Sequence, residues 1–302
     1  MRKRKYLIGA SLALVAVLAI AAVAVAVTTR TYRQTFATNA SGIGVTKPNK
    51  PAGTYFTESS TDNANYNPNA APGERDGNRQ SKLDEYVDVK FPAGTGIEQR
   101  TAGSCRKTNQ QILQDPPIVD PSTGQVNEDF ACKKGSVIGG GNAKVRFPFH
   151  GANDASGRIT VMNCYSDCKV PPPPAPGVGK ARQIILYVNV TGANPIILRG
   201  NILGKSRKTI HVPIPINCLL GTPPTCKNSN GVSNGDARIS QLSLAIRKIS
   251  KRITINGEKK LRHFIRTPKT CPSTKVWTFT IIFAGRDGVD QKYDSKASCT
   301  SS

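Results

Sequence analysis

Between Arg247 and Lys275 the chain carries ten lysines and arginines and one acid, Glu258. The chemistry open to such a cluster is electrostatic: it neutralises a polyanion. The candidate polyanion-binding residues are Lys248, Lys251, Arg252, Lys259, Lys260, Arg262 and Arg266. Asn256-Gly257 in their midst is the preferred two-residue hairpin turn, and it would bring these charges onto two facing strands. Binding to single-stranded nucleic acid also calls for aromatic stacking platforms, and only Phe264 lies near the hairpin. An anionic wall polymer, a polysaccharide or a membrane surface is therefore the expected partner ahead of nucleic acid. The alternative is a charged face that is merely solvated.

Eight cysteines are the second reactive set: Cys105, Cys132, Cys164, Cys168, Cys218, Cys226, Cys271 and Cys299. An even number in an exported chain reads as disulfides. Sequence order suggests the pairs 105–132, 164–168, 218–226 and 271–299. A zinc site is not indicated. No two cysteines show the two-residue gap of a zinc knuckle, and His150, His211 and His263 lie far apart. No cofactor or catalytic motif is present: there is no G-x-S-x-G, no H-E-x-x-H and no Walker loop. Gly139, Gly140 and Gly141 precede an alternating strand pattern, so a bulge or tight turn explains them better than a phosphate cradle. Asp84, Glu85 and Asp88 would be divided between the two faces of a strand. A polysaccharide hydrolase would need carboxylates from distant segments. A passive structural or adhesive module is a third reading.

The elements that must hold these residues are mostly strands. MRKRK is followed by an uncharged run from Leu7 to Val27, so residues 1–27 read as a signal peptide or an N-terminal membrane anchor. The remainder is expected on the outer side of the cytoplasmic membrane, extracellular or anchored there. Residues 28–50 read as a linker, 51–170 as an N-terminal β domain, 171–179 as a Pro-rich linker and 180–302 as a C-terminal β-sandwich domain. Four consecutive prolines from Pro171 mark that division. Alternation predicts strands at 83–91, 158–164, 208–216 and 239–247. Pro213 and Pro215 suggest that the third of these is an edge strand. The stretch CRKTNQQILQ from Cys105 would hold one short helix. The fold class expected is all-β, with little helix: disulfide-stapled, Ig-like β-sandwich domains behind an N-terminal export helix.

The only tryptophan, Trp277, shares a strand parity with Phe279, Ile281 and Phe283. Asp287-Gly288 would turn that strand back and leave Cys271 and Cys299 at the same end of a hairpin. Trp277 beside that bridge reads as a core plug rather than an exposed platform.

The order of features, with VDVKFP, GSVIGGGNAKV, an Asn-Gly hairpin and a closing Cys-Pro, Trp-x-Phe and Asp-Gly before the last Cys, resembles a group of secreted, disulfide-containing β-sandwich proteins of high-GC Gram-positive soil bacteria. It covers roughly residues 50 to 300. It implies an exported β protein and brings no catalytic residues with it. The polyproline run and the pairs 164/168 and 218/226 fall outside it. The function expected is non-enzymatic contact with anionic polymers through the basic C-terminal hairpin.

Overall fold

The computed structural model describes residues 29–38, 44–61, 84–119, 126–127, 129–146, 154–168, 182–192, 194–214, 238–285 and 290–300. The leader at 1–27, the polyproline run, Cys218 and Cys226 lie outside them. The strands are β1 (Thr29–Ala37), β2 (Pro51–Thr61), β3 (Asp84–Lys90), β4 (Gly96–Ile97), β5 (Val137–Arg146), β6 (Asp154–Cys164), β7 (Gln183–Val190) and β8 (Ile196–Leu203). They continue as β9 (Thr209–Pro213), β10 (Arg238–Ile246), β11 (Ser250–Ile255), β12 (Glu258–His263), β13 (Ile265–Arg266), β14 (Val276–Gly285) and β15 (Asp290–Ser298). The one α-helix among the described residues is α1 (Asn109–Gln114), where a short helix was predicted. A capping box starts it: Thr108 Oγ1 accepts from Gln111 N at 3.2 Å, and Gln111 Oε1 accepts from Thr108 N at 3.0 Å.

Thirteen of these strands form one sheet in the order β15-β14-β3-β9-β8-β7-β6-β5-β10-β2-β13-β4, with β1 paired to β2. The strands flanking residues 171–179 are neighbours: β6 pairs antiparallel with β7 from Gly157↔Val190 to Cys164↔Gln183. One sheet therefore runs across the expected domain division. β3 sits between β14 and β9, so segments from both expected domains alternate within it.

The sheet curls until its ends meet. Gln34 N of β1 donates to Ser295 Oγ of β15 at 2.8 Å, and Ser295 Oγ donates back to Gln34 O at 3.0 Å. Inside the curl lies the main core, which includes Phe36, Phe91, Val161, Ile184, Ile246, Trp277 and Phe279. β1 occupies part of the segment expected to be a linker. Its inward residues include polar Gln34, satisfied by Thr54 Oγ1 at 3.0 Å, and this masks the strand pattern in the sequence.

A second, smaller core lies on the opposite face of β6 and β7. Met162, Cys164, Ile185 and Tyr187 pack there with Cys105, Ile112, Phe130 and Cys132. These two strands are buried on both faces, which is why Gln183 to Val190 reads as an almost unbroken apolar run. Arg199 clamps this layer. Its guanidinium donates to Asn109 Oδ1 and Lys107 O at 2.7 Å each and to Gln183 Oε1 at 3.2 Å. Burial among neutral acceptors pulls its pKa down to about 10.

Disulfides join Cys105 to Cys132, Cys164 to Cys168 and Cys271 to Cys299. β9 is an interior strand rather than an edge. Pro213 is its last residue, so the missing N–H falls where the ladder ends. The triple glycine lies inside β5 rather than in a turn, with a register shift between Val137 and Gly139.

Candidate functional site

β11 and β12 form a two-stranded sheet of their own, separate from the main one. Asn256 (φ +51°) and Gly257 (φ +82°) make the turn, both in the left-handed region that a two-residue hairpin of this twist requires. The register runs from Ser250↔His263 to Ile255↔Glu258. Its base is fixed by Phe264, fully buried in the main core, whose N donates to Ile249 O at 2.9 Å.

The register assigns each predicted residue to a face, because directly opposed residues point the same way. Lys251 faces Arg262, and Ile253 faces Lys260 on the same side. Arg252 faces Leu261 and Thr254 faces Lys259 on the other side. Lys248 precedes the hairpin and is exposed, and Arg266 follows it in β13, half-buried. Lys248, Arg262 and Arg266 all press electrostatically on His263. The structure thus brings the predicted cations onto one hairpin and its base. Its only carboxylate, Glu258, pairs with Lys260 at 2.7 Å, with both side chains largely in solvent. Such an exposed pair adds little stability, about 0–1 kcal/mol. The Lys251–Arg262 cross-strand pair has like charges, which destabilise a hairpin until a polyanion neutralises them.

The histidines within the described residues are satisfied. His211 Nδ1 lies 2.7 Å from Asp88 Oδ1 on the outward face of β9 and β3. His263 Nδ1 shares a hydrogen bond of 2.7 Å with Ser250 Oγ. His150 lies outside the described residues.

A feature that sequence reasoning missed is a groove of about 650 Å³ at the outer end of β14 and β15. Its lining comes from four stretches, near Pro92, Arg207, Pro268–Thr280 and Lys292–Asp294. No local pattern in the sequence could announce it. Among its described lining residues Asp294 is the single carboxylate.

Fold and site define a disulfide-stapled, nearly all-β protein with a separate cationic hairpin. No family model, curated protein or solved structure matches the chain.

Proposed function

We propose that this is a non-enzymatic exported protein that docks on anionic polymers or surfaces through the β11–β12 hairpin. The observation that carries the reading is the register of that hairpin, which stacks lysines and arginines against a single carboxylate. Export is supported by the basic, then apolar, N-terminal sequence and by the three disulfides. The curled sheet, with its facing layers, is read as a sandwich-like scaffold that presents the hairpin. The partner class is a wall polymer, an acidic polysaccharide or an anionic membrane surface.

The test is binding to heparin, to a purified anionic wall polymer and to vesicles containing anionic lipid. Each surface cation contributes about 1 kcal/mol near an anionic surface. Replacing Lys259, Lys260 and Arg262 together by serine should weaken binding by about 10- to 100-fold. Affinity should also fall as salt is raised. Binding that is unchanged in the triple variant, or insensitive to salt, would falsify the reading and favour a passive structural module.

His263 gives the reading a pH signature. Burial, and then the charges of Arg266, Lys248 and Arg262, hold its pKa below the ordinary histidine range. In the free protein the unfolded chain binds this proton more readily, so the stability contribution is present above the ordinary histidine pKa. It is lost as pH falls through the depressed folded value. A polyanion that neutralises the three cations raises the histidine pKa, so docking takes up a proton. Affinity for heparin should therefore rise as the pH falls below the ordinary histidine range. Titrations at several pH values on the native chain and on His263→Gln check this, and the rise should be missing in the variant.

A further inference from the structure

The groove at the end of β14 and β15 lies apart from the hairpin and has a lining of its own. We propose that it binds an acidic saccharide unit, a sugar ring carrying a carboxylate. The volume of about 650 Å³ lies within the range of small-ligand sites. Its chemistry is mixed in the way such a ligand requires. Arg207, Lys269 and Lys292 supply positive charge, and Asp294 supplies an acceptor.

Arg207 is held in place although it is exposed. Its Nε donates to Phe91 O at 3.0 Å and one Nη donates to Thr280 Oγ1 at 2.9 Å. Thr280 Oγ1 in turn donates to Asp294 Oδ1 at 2.7 Å. The guanidinium is thus oriented in advance, and its other Nη remains for a ligand oxyanion. The second carboxylate oxygen of Asp294 remains to accept from a hydroxyl. A dense polyphosphate would gain nothing from Asp294 and would be repelled by it, whereas a polyol with one carboxylate uses both groups.

Pro92, Pro268 and Pro272 give the groove apolar walls for the carbon faces of a sugar ring.

Occupancy of this groove is read by isothermal titration calorimetry. The probes are tetragalacturonic acid, its fully methyl-esterified form and inorganic phosphate, titrated into the intact protein. The acid should bind saturably, with at least tenfold weaker binding of the ester and of phosphate. Arg207→Gln and, separately, Lys292→Gln should each weaken acid binding by at least fivefold. Lys292 is exposed on β15 and its replacement leaves the core untouched, so this arm remains informative if Arg207→Gln disturbs folding. The Lys259, Lys260 and Arg262 triple serine variant should keep this response, which separates the groove from the hairpin. No saturable response to the acid, equal binding of ester and acid, stronger binding of phosphate, or unchanged affinity in Lys292→Gln would each overturn the proposal. Loss of the response in the hairpin variant would also overturn it, by assigning the signal to the hairpin.

Discussion

Trp277→Ala should destabilise the protein by about 3–5 kcal/mol, read from the midpoint of a denaturant titration. The side chain is only 1% exposed and sits where the two ends of the curled sheet face each other. Phe36 of β1 packs on it edge to face, with ring centroids 5.1 Å apart and planes at 89°. Phe36 also meets Phe279 at 4.9 Å, and Phe279 meets Phe91 at 5.8 Å. Removing the indole takes one of the two aromatic partners of Phe36 away and opens a cavity that β-strands cannot collapse to fill. The neighbouring bridge from Cys271 to Cys299 holds the start of β14 and the end of β15 together, which restricts relaxation further. A loss below 1 kcal/mol would show that Trp277 is not a core plug.

Gly141→Ala should cost about 3 kcal/mol or more, because overpacking against main chain has few ways to relax. A methyl at Gly141 would stand 1.9 Å from Ser243 O of β10, and one at Gly139 would stand 2.0 Å from Ala245 O. On the other side of β10, a methyl at Gly53 of β2 would meet Ile246 O at 2.0 Å. β10 is therefore flanked by three positions where its own carbonyls occupy the space of a side chain. This close approach, and not a turn, is what the glycine run in β5 provides. Thermal unfolding of Gly141→Ala beside Gly135→Ala checks it. Gly135 has open space around its missing methyl and should stay within about 0.5 kcal/mol of the native chain.

The two hairpins were legible in the sequence because their signals are local. Alternating Trp277, Phe279, Ile281 and Phe283 marked β14, and Asn256-Gly257 marked the β11–β12 turn. The bridges 105–132, 164–168 and 271–299 were equally readable, since each joins cysteines adjacent in order. β1 was not legible, because Gln34 faces inward, its side chain donating to Thr54 Oγ1 and its main chain bonded to Ser295, both distant in sequence. The single sheet was hidden for the same reason. Nothing around Val87 or Val89 indicates that this strand lies between β9 and β14, and the polyproline run spoke for a division that strand pairing crosses. The candidate hairpin site was read directly from charge density. The groove was not, since Arg207, Thr280 and Asp294 meet only once β3 has paired with both β9 and β14.

The closure of the sheet through Ser295 also orders events in time. Gln34 and Ser295 are 261 residues apart, and pairings of such span place a β protein among slow folders, in milliseconds to seconds. A chain delivered from its N-terminus presents Phe36 and Phe91 long before Trp277 and Phe279 arrive to cover them. Until then the early strands expose apolar faces and unpaired edges, the surfaces that chaperones hold. Nearly the whole chain must be on one side of any barrier it crosses before the main core can close. The native core is thus completed only when the chain is nearly whole.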